Sequence, residues 1–220
     1  MTTSLKSTLA FLAQLERNNN KAWFEENRPA YETARAAVED FLEAVIDALR
    51  NADQLGDLTA KQCLMRIHRD IRFSRDKSPY NTAISASIAP GGRKSGKMGY
   101  YISVGPDNRS IVAGGLYSPT PEQLARFRKA IENDAGELRA IAKAKAFIEH
   151  FGQIAGEKLK TAPKGYERTH PDIDLLQLKQ AIVIRHFTDA EILKPDFPER
   201  VVAACKAMKP FVTWLDETTG

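Results

Sequence analysis

Arg66-Ile67-His68-Arg69-Asp70-Ile71-Arg72-Phe73-Ser74 is a dense run of side chains able to do chemistry in this 220-residue chain. Alternate residues of a strand share a face. In that conformation Ile67, Ile71 and Phe73 lie on one side with Arg69, while Arg66, His68, Asp70, Arg72 and Ser74 line the other. Arg75-Asp76-Lys77-Ser78-Pro79-Tyr80-Asn81 follows as a turn and adds Arg75 and Lys77 beside Tyr80. A guanidinium fork suits phosphate or carboxylate, and a lysine supplies a point charge. The preferred reading is a module that binds a phosphate-bearing or other anionic ligand through Arg66, His68, Asp70, Arg72, Arg75, Lys77 and Tyr80. A second reading is an enzyme acting on an anionic substrate, with His68 or Asp70 as acid/base and Arg72 and Arg75 holding the anion. A third is a structural or interaction domain in which Asp70 pairs with Arg66 or Arg72, and Asp76 with Arg75 or Lys77. Arg69, on the apolar side, is expected to have a buried partner and a structural role.

Charge distribution supports an anionic partner. Between Lys61 and Lys97 nine Lys/Arg face two acids, a local charge of +7. The whole chain carries only +4, so the remainder is at −3. Such asymmetry marks a basic patch and suits a phosphate-bearing ligand or nucleic acid. For nucleic acid, Trp23, Tyr80, Tyr100 and Tyr101 are the candidate stacking rings.

Other motif echoes fail on their surroundings. Gly91-Gly92-Arg93-Lys94-Ser95-Gly96-Lys97 has the G-x-x-x-x-G-K spacing of a phosphate loop. That loop also needs Ser or Thr next and a helix behind it. Here Met98 and a strand-like segment follow, which leaves a basic hairpin loop able to touch a polyanion. His68-Arg69-Asp70 echoes a kinase catalytic loop without the asparagine or the partner motifs. His170-Pro171-Asp172-Ile173-Asp174 has a metal-like look but no second ligand pair, so Asp172 or Asp174 is assigned to helix capping. No metal and no cofactor are expected. Cys63 and Cys205 are far apart in sequence and read as reduced thiols of a cytoplasmic protein. No run of about 18 apolar residues exists, so no membrane partner is expected. Oligomeric state is left open.

The elements that must position these residues divide the chain in three. Residues 1–60 read as helices: Leu5, Leu9 and Leu12 mark the first, Asn18-Asn19-Asn20 stops it, and Tyr31 to Leu49 forms a longer apolar stripe behind Pro29. Residues 61–117 read as an antiparallel sheet, with strands at Leu64–Phe73, Ala83–Ala89, Gly99–Val104 and Ser110–Tyr117. Residues 118–220 read as mainly helical with one further strand at Ala181–Phe187. In that part Thr120 and Thr188 open capping boxes, one helix spans Ala135–Phe151, and the last runs from Pro198 to Trp214. The expected fold is α+β, a mostly antiparallel sheet of about four to five strands packed with N- and C-terminal helices in a single domain, 1–220.

Several of these segments together resemble the bacterial and fungal domain-of-unknown-function family 2461 (DUF2461). The resemblance rests on Asn19-Asn20-Lys21-Ala22-Trp23-Phe24 with Asn27 and Tyr31, and on Arg69-Asp70-Ile71-Arg72-Phe73-Ser74 leading into Asp76-Lys77-Ser78-Pro79-Tyr80. It continues through Gly99-Tyr100-Tyr101, Gly105-Pro106, Gly114-Gly115-Leu116-Tyr117, Pro163-Lys164-Gly165 and Asp174-Leu175-Leu176. It implies no particular activity, and no catalytic residue carries over. It does single out the Gly114-Gly115 pair, where the backbone either approaches a partner closely or forms a bulge.

Overall fold

The computed structural model describes residues 5–220. Its elements in chain order are α1 (Leu5–Arg17), α2 (Lys21–Glu26), α3 (Arg28–Leu49), α4 (Ala60–Cys63), β1 (Ile84–Ile88), β2 (Tyr100–Val104) and β3 (Ser110–Leu116), then α5 (Pro121–Asn133), α6 (Gly136–Lys143), α7 (Lys145–Phe151), α8 (Ile173–Leu176), β4 (Ala181–Phe187), α9 (Asp189–Ile192) and α10 (Phe197–Thr219). The fold is α+β with one four-stranded antiparallel sheet, ordered β1-β2-β3-β4. Two compact units emerge from the internal contacts.

The first unit holds the residues up to Gly96, Tyr100–Val112 and His186–Ala203. Helices α1 and α3 pack together because each carries one apolar stripe. Leu12 and Leu15 of the first are fully buried, as are Ala34, Leu42, Val45 and Ile46 of the second. A buried hydrogen bond from Thr8 Oγ1 to the Ala34 carbonyl (3.0 Å) fixes their register. In β1 and β2, Ile84 pairs with Val104, Ala86 with Ile102 and Ile88 with Tyr100, and all six are buried. The intervening Ser85 and Ser103 bond each other (3.0 Å), and the Tyr101 hydroxyl donates to Ser85 Oγ (2.9 Å).

The second unit holds Lys97–Gly99, Ala113–Arg185 and Ala204–Gly220. Phe127 and Ile131 of α5 are buried with Leu176 of α8 and with Met208, Phe211 and Leu215 of α10. Phe127 meets Trp214 edge-on at 6.1 Å, and Phe147 meets Phe211 at 5.9 Å. At β3 the glycine pair serves close packing inside this unit. A Cβ on Gly114 would run into the Met208 thioether, and one on Gly115 would overlap the Ala181 carbonyl oxygen.

Several expectations need correction. Leu64–Phe73 is not a strand: it has single antiparallel bridges at Leu64 with Ala86 and His68 with Tyr80. Side-chain turns interrupt it and the turn that follows: Asp70 Oδ1 accepts from Arg72 N (3.3 Å), and Asp76 Oδ1 from Ser78 N (2.9 Å). Such turns compete with a ladder. No shared apolar face exists either, since Ile67 is buried while Phe73 is 95% exposed. The segment Lys21–Glu26 is a separate helix, and the span Ala135–Phe151 breaks at Ala144, which adopts an extended conformation (ψ 136°). Asp172 stands at the N-cap of α8 as expected, but its side chain makes no capping hydrogen bond; with Asp174 it holds the Arg139 guanidinium, at 2.6 and 2.7 Å. The capping boxes at Thr120 and Thr188 are present.

Candidate anion-binding cleft

Three consecutive asparagines prepare the site. Asn18 Nδ2 bonds the Gln14 carbonyl (3.0 Å) at the end of α1. Asn20 Oδ1 accepts from Trp23 N (3.0 Å) and caps α2. Between them, the Asn19 amide bonds both ways with the Tyr80 backbone, donating to its carbonyl (2.9 Å) and accepting from its N–H (3.1 Å). A primary amide presents the same donor–acceptor pair as a peptide group, so Asn19 acts as a one-residue strand partner. It fixes Tyr80, whose ring stacks on Phe24 at 4.0 Å with 15° between planes.

From Tyr80 the loop closes on itself. Arg69 N donates to the Pro79 carbonyl (2.9 Å) and Asn81 N to the Ile67 carbonyl (2.7 Å), on either side of the His68–Tyr80 bridge. The tip is knitted by charge. Arg69 pairs with Asp76, Arg72 with Asp70 (2.6 Å), and Lys77 Nζ donates to the Ile71 carbonyl (2.9 Å). The Asp70–Arg72 pairing is thus present, whereas Asp76 takes Arg69 instead of Arg75 or Lys77. Arg69 has the structural role expected of it, but its partner is exposed.

These contacts set the carboxyl chemistry. The Ser78 hydroxyl (2.6 Å) and backbone N–H, then Arg69, hold the Asp76 carboxyl well below the usual range. The Arg72 guanidinium and N–H lower the Asp70 carboxyl as well. A lowered folded pKa contributes stability that is present above the ordinary carboxylate value, about 3.9, and is lost as pH falls through the lowered one. The tip is therefore unaffected through the neutral range and loosens only in acid. In a carboxyl NMR titration the Asp76 midpoint lies below that of a free aspartate, and Ser78→Ala raises it more than Arg69→Ala; the reverse order would show the ion pair to dominate.

Beside the loop is a cleft of about 500 Å³. Arg66, His68 and Asp70 line it from one side, along with Arg69 and the exposed Met65. Arg93 and Lys94 line it from the β1–β2 loop. That loop turns at Gly91 and Gly92, whose φ values of 78° and 81° favour glycine. Gly92 seats the turn against Leu58, where a Cβ would stand 3.4 Å from the side chain. Pairing of Met65 N with the Ser85 carbonyl (2.8 Å) brings the other wall alongside.

The cleft takes three of the seven residues singled out by sequence. Arg72, Arg75 and Lys77 are on the exposed tip and do not line it, and Tyr80 is buried at 3% exposure, its hydroxyl pushed up in pKa by burial. Arg93 and Lys94 complete the site; their sequence signal was the basic glycine-rich loop itself. The proposed stacking rings are also taken: Tyr100 is buried and donates to Asp53 (3.0 Å), Tyr101 bonds Ser85, and Trp23 stacks on Phe11 at 5.9 Å. Among the described residues no group of three His, Cys, Asp or Glu side chains is placed to hold a metal ion, and no helix is long and apolar enough to cross a membrane. Both cysteines are buried, and burial pushes the Cys63 thiol up to about 11.

A family model described as a conserved hypothetical protein, DUF2461, matches residues 7–214. The chain belongs to the DUF2461 family. No curated protein and no solved structure matches it. In this DUF2461 member the match takes in Asn19, the loop through Tyr80 and both walls of the cleft.

Proposed function

We propose that this DUF2461 protein binds a phosphate-bearing anion in the cleft between Arg66 and the Arg93–Lys94 turn. One observation supports the reading. Three cations from two separate segments line one cleft, and among the described residues none of their side chains makes a hydrogen bond or ion pair. Arg69 and Arg72, by contrast, are committed to carboxylates. Converging uncommitted cations repel one another and are relieved by an anion. The acid/base reading draws on the same cleft through His68 and Asp70. Arg72 lowers the Asp70 pKa and makes it a poor proton acceptor near neutral pH, so binding is the better-supported role. Buried, reduced cysteines fit a cytoplasmic setting for it.

The test is a melting series with inorganic tripolyphosphate. A ligand at 100 times its Kd stabilises by about 2.7 kcal/mol, which for a chain this size raises Tm by roughly 5–10 °C. Arg66→Ala/Arg93→Ala/Lys94→Ala abolishes the rise with little change in its own Tm, because all three residues are exposed. An undiminished rise in the triple variant, or no rise in the wild type, overturns the proposal.

A further inference from the structure

Phe73 stands at 95% exposure on the loop tip. A phenylalanine ring left in water forgoes about 1.5–3 kcal/mol of burial, so a fully exposed one calls for a reason. It is surrounded by cations: Arg72 is over its ring at 5.9 Å from the centroid, and Arg75 and Lys77 follow within four residues. Arg72 is itself anchored by Asp70, which lines the cleft. The ring and the cleft are thus parts of one loop. Phe73 is three positions after Asp70, so their Cα atoms are at most about 11 Å apart.

The geometry points to a single-stranded nucleic acid as the ligand, with its phosphates in the Arg66–Arg93–Lys94 cleft and a base stacked on Phe73. This rests on the anion-binding reading above and names its substrate class. A single strand offers what the site demands: repeated phosphates with unstacked bases beside them. Non-specific readers of single strands combine the same two parts, a cationic track and an aromatic platform. Stacked nucleotides advance about 3.4 Å per residue, so the span from Asp70 to Phe73 is covered by about three nucleotides or fewer. A lipid surface fits less well, since the ring is a lone apolar side chain on a tip whose neighbours Arg72, Arg75 and Lys77 are all exposed.

The experiment measures fluorescence anisotropy of a fluorescein-labelled ten-nucleotide oligothymidylate, beside calorimetric titration with tripolyphosphate. Phe73→Ala weakens the oligonucleotide by about tenfold or more, as expected for one base stacked on a ring, and leaves tripolyphosphate binding and Tm unchanged. Phe73→Trp restores or tightens oligonucleotide binding. Equal oligonucleotide affinity of Phe73→Ala and wild type overturns the stacking role. Tripolyphosphate binding without oligonucleotide binding overturns the nucleic acid and leaves the cleft reading standing, whereas binding of neither removes both. Co-sedimentation with phosphatidylserine vesicles in place of oligonucleotide binding overturns the assignment in favour of a membrane surface.

Discussion

Gly115→Ala lowers Tm by on the order of 10 °C. Two costs combine at this position. The backbone φ of 120° is one that residues with a Cβ rarely adopt. The new methyl would also overlap the Ala181 carbonyl oxygen on β4, with Ile182 Cα and Phe211 Cε1 each at 3.0 Å. Ala181 and Phe211 are fully buried, and the clash is with backbone, so no rotamer change relieves it. Strain and overpacking together come to about 4 kcal/mol. Gly114→Ala is the informative neighbour. Its methyl meets chiefly the Met208 thioether, a flexible side chain that can shift. Thermal melts should rank Gly115→Ala well below Gly114→Ala. Equal losses would mean that space alone, and not backbone conformation, governs the pair.

Asn19→Ala is felt at the cleft. The substitution strands the N–H and carbonyl of Tyr80, in a residue only 3% exposed. An unsatisfied buried polar group costs about 1–3 kcal/mol. Loss of the anchor also frees the rungs at Asn81 and Arg69, so the cationic wall at Arg66 is no longer held opposite Arg93. The expected result is a destabilisation of about 2 kcal/mol, fast amide exchange at Tyr80, and weaker tripolyphosphate binding. Asn20→Ala is the control. It removes the α2 cap, worth about 1 kcal/mol, and a bond to the Asn18 carbonyl, and leaves Tyr80 exchange slow. If Asn19→Ala and Asn20→Ala have the same exchange pattern, Asn19 is not the anchor.

Periodicity made α3 and four strands readable, because each buries one face: Ala34, Val38 and Leu42 at helical spacing, Ile84, Ala86 and Ile88 at every second residue. Capping chemistry made α5 and α9 readable for the same local reason. The basic segment misled because its sequence alternates as a strand would, while at the tip the Asp70 and Asp76 side chains take up the Arg72 and Ser78 N–H groups, a choice that alternation does not encode. Charge density was enough to find Arg66, His68 and Asp70. It could not join them to Arg93 and Lys94, since that depends on long-range contacts: Met65 with Ser85, and Gly92 seated on Leu58. Nor could it separate the committed guanidinium groups from the uncommitted ones. The exposure of Phe73 was equally hidden, as an apolar residue in alternation with Ile67 and Ile71 reads as core until the tip is seen to turn away.

The Asn19–Tyr80 clasp joins residues 61 positions apart, which matters for a chain made in one direction. During synthesis from the amino end the receiving half, α1 and α2, exists before the loop it grips. At about 5–20 residues per second the amide waits several seconds for its partner. In that interval α1 and α3 have time to find each other, since helix formation takes about a microsecond or less. The cleft loop then closes against helices that have already met, so its anchor is in place before its cations arrive.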